Sequence, residues 1–207
     1  MTDSRGTSVG PAGKPPGLRE RMRATVRTEV VAVALRLFTE QGFDHTTVDQ
    51  IAAETGLSRA SLFRHFGTKE DIVLVGLADS GRQIAQELRA RPEDERPWTA
   101  LRRAFDVLVR MNEADPQDAL RYLRMLQETP SLRARHFEKQ LSWQEMLVPE
   151  VARRLSVGPG RHEDPRPGAL VAAALACLDM AAASWVACEG NVPLAVLLDR
   201  AMGAFTE

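Results

Sequence analysis

Residues 47–66 read TVDQIAAETGLSRASLFRHF. Thr46 or Thr47, and Ser58, are helix-capping residues, each followed by about two turns of helix-forming sequence, and Gly56 between them supplies a sharp turn. Two such helices pack at a steep angle only if the inner positions are apolar and small where they cross. Val48, Ile51, Ala52, Leu57 and Leu62 stand where that packing requires them, with Ala52 allowing the close approach. The stretch is predicted to be a helix-turn-helix.

The outward positions of the second helix are short or cationic. Arg59, Ala60, Ser61, Arg64 and His65 lie on or beside the face left open when Leu62 is buried. Small side chains let a helix lie deep in a major groove, Arg59 can reach a guanine edge, and Ser58, Ser61, Arg64 and His65 can bond phosphates or bases. Helix starts at Thr47 and Lys69 add backbone N–H groups and a cation that favour phosphate. Two short helices of this spacing also build the cores of unrelated bundles, so the pattern by itself leaves both readings open.

Working outward, residues 18–41 carry Val26, Val30, Val33, Ala34, Leu37 and Phe38 at spacings of three and four, with Gly42 as the stop. They predict a long amphipathic first helix. A fourth helix is expected from about 69 to 91. The polar stretch RPEDERP at 91–97 marks a junction between an N-terminal unit, 18–91, and a larger unit, 92–207. In the larger unit helices are expected over 98–113, 116–128, 131–155, 168–189 and 193–205, with Pro149 disturbing the third and a loop over 156–167. Residues 1–17, rich in Gly, Pro, Ser and Thr, are expected to form a disordered tail. The fold class is all-α, since Ala, Leu, Arg and Glu dominate and aromatics make up 5%.

Composition also limits function. A net charge of -1 excludes a histone-like polycation, although a whole-chain sum can hide a basic face. The two cysteines, Cys177 and Cys188, cannot form a disulfide scaffold, and eleven residues along one helix put them roughly 16 Å apart. They read as buried small hydrophobes, or as an intersubunit redox pair. The apolar run 169–188 has the length of a membrane span but is mostly Ala and carries Asp179 near its middle, so it reads as a buried helix. No membrane association is expected, and the default compartment is the cytoplasm. No nucleophile–base pair, metal-ligand spacing or phosphate-binding glycine loop is visible, which argues against an enzyme, a metal site or a cofactor.

The stretch from Arg27 to Leu77, with ALRLFTEQGFDHTTVDQIAAETGLSRASLFRHFGTKEDI at its centre, resembles the N-terminal domain of TetR-family transcriptional regulators, in order and without gaps. The resemblance implies that Thr47, Ser58, Arg59, Ala60, Ser61, Phe63, Arg64, His65 and Lys69 touch double-stranded DNA. Many members have Tyr where this chain has Phe63, so Phe63 is expected to serve packing or to meet a thymine methyl. It further implies a C-terminal helical domain that binds a small-molecule effector and forms a homodimer through the last two helices, so that two recognition helices read a palindromic operator about 34–36 Å apart. Repression released by ligand is the expected mode; activation, or control by a protein partner, is the alternative.

Candidates for the effector pocket are Phe105, Leu108, Met111, Tyr122, Met125, Phe137 and Trp143, with Asp179 and His136 as polar contacts, and ordinary core packing competes for each. Trp98, Leu126, Leu147, Met180 and Trp185 belong to the same apolar set. The segment RYLRMLQETPSLRARHFEKQLSWQEML is similar to an actinobacterial subgroup that includes mycofactocin-type regulators. That similarity implies a fatty acyl-coenzyme A or other apolar effector, with Arg121, Arg124, Arg133 or Arg135 available to phosphates, or else simply forming a solvated cationic face.

Overall fold

In a computed structural model, residues 17–156 and 164–205 of the 207 are described. The tail expected over 1–17 lies outside them except for Gly17, as does the middle of the loop expected over 156–167. The described residues form helices with no strand. Helix α1 spans Leu18–Gln41, α2 Val48–Glu54, α3 Arg59–His65, α4 Lys69–Val73 and α5 Val75–Ala90. They are followed by α6 Pro97–Ala104, α7 Asp106–Ala114, α8 Pro116–Glu128, α9 Pro130–Arg154, α10 Arg166–Ala187 and α11 Leu194–Gly203.

The first unit is built as the apolar spacing requires. Val30, Ala34, Leu37 and Phe38 form the buried stripe of α1, and Ile51, Ala52, Leu62 and Phe66 close over it from α2 and α3. Val48 and Leu57 seal the edge while partly exposed. Gly56, at φ +66, makes the turn between α2 and α3, a conformation that a side chain would strain.

Two expected helices are each divided. The helix expected over 69–91 breaks at Leu74 because Leu77 N–H bonds the Leu74 carbonyl instead of the Val73 carbonyl. Val73 O accepts a hydrogen bond from Tyr122 Oη at 3.1 Å. The helix expected over 98–113 tightens at Phe105, whose carbonyl accepts from both Leu108 and Val109. In contrast, α9 runs on through Pro149.

Helix α9 packs on α5, α8 and α10, and α10 packs on α11, α8 and α6. Trp98 Nε1 donates to Met202 O at 3.2 Å and ties α6 to the end of α11. Cys177 is buried, its Sγ lying 3.4 Å from Ala201 O, and burial pushes its thiol pKa up. That makes it a poor nucleophile and a packing residue.

The crossing of α5 and α9 depends on Gly81. A Cβ there would lie 2.3 Å from Trp143 Cδ1, on the ring whose Nε1 donates to Leu77 O at 3.0 Å. Alanine would gain about 1 kcal/mol of helix propensity, yet it would have to expel a buried indole. Gly81→Ala is expected to destabilise the protein by a net amount of about 1–3 kcal/mol, the usual range for overpacking. Thermal unfolding together with a red shift of tryptophan emission would check this; an unchanged melting point would contradict the packing described.

Candidate nucleic-acid interface and effector cavity

Of the seven residues of α3 only Leu62 is buried, so the helix is held by one anchor and presents the rest. Ser58 caps it: its Oγ accepts from Ser61 N–H at 3.2 Å and lies 3.1 Å from Ser61 Oγ. Arg64 donates to Ser61 Oγ at 2.9 Å. The Ser61 hydroxyl thus accepts from Arg64 and lies within hydrogen-bond reach of the Ser58 hydroxyl. Arg59 pairs with Asp49 of α2 at 3.0 Å and lies over the Phe63 ring, 5.6 Å from its centroid. Phe63, 40% exposed, is thus a shelf beneath Arg59. The Arg59–Asp49 pair is well exposed on both sides, so it orients Arg59 while contributing less than about 1 kcal/mol.

Thr47 caps α2 reciprocally with Gln50, and Ala60 lies exposed beside Arg59. Lys69 does more than present a charge. Its Nζ donates to Phe43 O at 2.6 Å and Thr46 O at 3.1 Å, and sits 4.1 Å from the centre of the Phe43 ring. Two of three ammonium protons therefore fasten α4 to the turn between α1 and α2. The sequence reading missed two cations on α1. Arg23 and Arg27 share a polar hollow with Arg64 and His65, where Arg27 donates to His65 O at 3.2 Å. The run of arginines at 19, 21, 23 and 27 is the signal that would have found them.

Helices α7 to α11, together with α1, α4 and α5, surround a cavity of about 470 Å³, in the range of roughly 300–1,000 Å³ that holds small molecules. Leu108 and Met111 of α7, Tyr122 and Leu126 of α8, His136, Phe137 and Trp143 of α9, and Asp179 and Met180 of α10 line it. Phe105 does not: it is fully buried at the α6–α7 joint. Met125 faces a separate groove between α1 and α8. Leu147 and Trp185 are core residues outside the lining, and Trp98 packs against Phe205. Among the four arginines considered, Arg133 lines the cavity, Arg121 pairs with Asp118, and Arg135 pairs with Asp71 at 2.6 Å.

Of the polar lining groups, His136 meets Asp179, while Ser80, Asn112 and Tyr122 bond backbone carbonyls. Gln140 Nε2 donates to both Asp179 oxygens, at 2.6 and 2.7 Å, and His136 Nε2 lies 3.3 Å from Oδ1. Gln140, 7% exposed, gave no sign in the sequence of being buried. The same wall is bonded to the helices beside the recognition element. Tyr122, whose phenol pKa is pushed up by burial, stays protonated and donates to Val73 O, while Asp71 joins Arg135 to the Thr68 cap of α4. Leu35 of α1 and Val73 of α4 are themselves part of the lining.

A helix-turn-helix with an open cationic helix, joined to a helical unit around an apolar cavity, defines a DNA-binding regulator with a sensor domain. The family model for bacterial regulatory proteins of the tetR family matches residues 30–75, and that for the MftR C-terminal domain matches residues 95–207. The chain belongs to the TetR family of transcriptional regulators, with an MftR-type C-terminal domain, and the family is one of regulators rather than enzymes. It is 32% identical to the HTH-type transcriptional regulator TcmR of Streptomyces glaucescens over 177 residues, covering 83% of this chain and 76% of TcmR. The fold is similar to that of Thermus thermophilus FadR in complex with lauroyl-CoA, with TM-score 0.60 and 22% identity over 87% of this chain and 93% of the other. It is also similar to the complex of triclosan with SmeT of Stenotrophomonas maltophilia, with TM-score 0.63 and 17% identity over 87% and 91%.

Removing the α4 staple has a measurable cost. Lys69→Ala would leave the Phe43 and Thr46 carbonyls without their charged donor and should lower stability by about 1.5–3 kcal/mol, the usual range for a hydrogen bond to a charged group. Denaturant unfolding would measure it, and a loss below about 0.5 kcal/mol, typical of a surface substitution, would show that the staple carries no weight.

Proposed function

We propose that the protein is a homodimeric repressor that binds a palindromic operator through α3 and leaves it when an apolar effector occupies the cavity. The observation that carries this reading is the direct bonding of the cavity wall to α4. An occupant that moves Tyr122 or α9 acts on Val73 and Asp71, and through Lys69 on the turn that sets α2 and α3. A ligand displaces DNA only by its differential affinity for the two arrangements, so the wall and the recognition helix must belong to one bistable unit.

On the DNA side, Arg59, Ala60 and Ser61 enter the major groove, with Phe63 supporting Arg59. Thr47, Ser58, Arg64, His65 and the remaining Lys69 proton meet the backbone or base edges, and Arg23 and Arg27 extend the phosphate contacts. The domain division at residues 91–97 separates this unit from the sensor.

The dimer reading rests on α10. Its apolar window has a mean hydropathy of 1.9, yet only 44% of it is buried inside the chain. The open positions are Ala169, Ala172, Ala176, Met180, Ser184 and Ala187, one uncharged stripe at spacings of three and four. Small side chains on such a stripe let a second copy's helix approach closely. A membrane is the poorer partner for this helix, because Asp179 sits mid-span and the opposite face packs in the core.

For the effector, an apolar small molecule suits the cavity, in keeping with the apolar portions of lauroyl-CoA on FadR and of triclosan on SmeT. The cytoplasm is where such a regulator meets its operator.

Ala176→Glu is expected to convert the dimer to monomer in analytical ultracentrifugation and to abolish operator footprints while each monomer stays folded. Arg59→Ala should keep the dimer but cost about 1–3 kcal/mol at the operator alone, read from competition against non-specific DNA. A wild-type protein that is monomeric, or that protects no DNA at low salt, would refute the proposal.

A further inference from the structure

The cavity is almost wholly apolar, and Asp179 is the one carboxylate among its lining residues. A carboxylate offers about four lone-pair sites. Gln140 takes one on each oxygen and His136 approaches Oδ1, so one site, on Oδ2, remains. Among the described residues no lysine or arginine is ion-paired with Asp179; the basic group beside it is the His136 ring. Arg133, the cation of the lining, is solvent-exposed at the rim.

We infer that the effector is an uncharged apolar molecule bearing a hydroxyl, alcoholic or phenolic, which donates its proton to Asp179. This rests on the reading of the cavity as an effector site and narrows the ligand class. A carboxylate or phosphate head would face Asp179 as a like charge between apolar walls, where screening is weak. A primary ammonium is the poorer fit for a different reason. It brings three N–H donors where Asp179 offers one free acceptor site, and any donor left unsatisfied in the cavity is costly. A single O–H matches a single vacant lone pair. The rings of Tyr122, Phe137 and Trp143 supply a flat apolar surface for the rest of the molecule.

The experiment measures binding of four twelve-carbon probes to the full-length protein by isothermal titration: 1-dodecanol, dodecanoate, dodecylammonium and lauroyl-coenzyme A. Each is then added to a protein–operator complex. Expected is that dodecanol binds at least about tenfold more tightly than the other three, the size of one hydrogen bond to a charged acceptor. Asp179→Asn keeps the shape of the wall and removes the charge; it should erase the preference over dodecanoate. Asp179→Leu, a second variant, should bind dodecanol and dodecane about equally. Preference for dodecanoate, dodecylammonium or lauroyl-coenzyme A in the wild type overturns the inference, as does an unchanged order in Asp179→Asn or no binding by any probe. Selective binding of dodecanol without release of the operator would leave this inference standing and refute the regulatory reading instead.

Discussion

The smallest regular element of the chain is the one on which the two units depend. Helix α4 has five residues and cannot be stable by itself, because nucleating so short a helix costs more than its few hydrogen bonds return. It persists because both of its ends are tied to other parts of the chain. At its start Lys69 binds the carbonyls of the α1–α2 turn and Thr68 shares a capping box with Asp71; at its end Tyr122 takes the Val73 carbonyl. The orientation of the recognition helix and the shape of the cavity are therefore two consequences of one set of bonds.

The parts legible in the sequence are those governed by local periodicity. Val30, Ala34, Leu37 and Phe38 announce α1, and the caps at Thr47 and Ser58 with Gly56 between them announce the turn, because each rule acts within four residues. The break at Leu74 was not legible. There Leu77 N–H turns to the Leu74 carbonyl while the Val73 carbonyl accepts from the Tyr122 hydroxyl, 49 residues away. Gly81 likewise reads as an ordinary weak spot in a helix until Trp143 is placed against it.

Candidate pocket residues divide along the same line. An apolar residue on a helix announces that it is buried but not which side of a wall it faces. Phe105 and Leu108 stand three apart, and the tightened turn between them puts the first wholly into the core and the second on the cavity. Gln140 illustrates the reverse error, since a polar residue in a charged run reads as solvated. Its burial follows only from the Asp179 carboxylate, supplied by α10, that needs its amide. For α3 the side-chain types were legible but their internal pairing was not: Arg59 over Phe63 and Arg64 on Ser61 depend on rotamers that only packing selects.

The bonds that join the sensor to the DNA-binding unit differ in stiffness, and this bears on how a signal would pass. Arg135 and Asp71 form an ion pair with about a third of each side chain exposed, so salt screens it and its net worth is small. The Tyr122–Val73 hydrogen bond is part-buried and joins two uncharged groups, so salt screens it little. Leu35 and Val73 add apolar contact from the first unit to the lining itself. Displacing the ion pair alone would cost little and move little. Displacing Tyr122 would take the phenol donor from the Val73 carbonyl, at the joint where α4 meets α5.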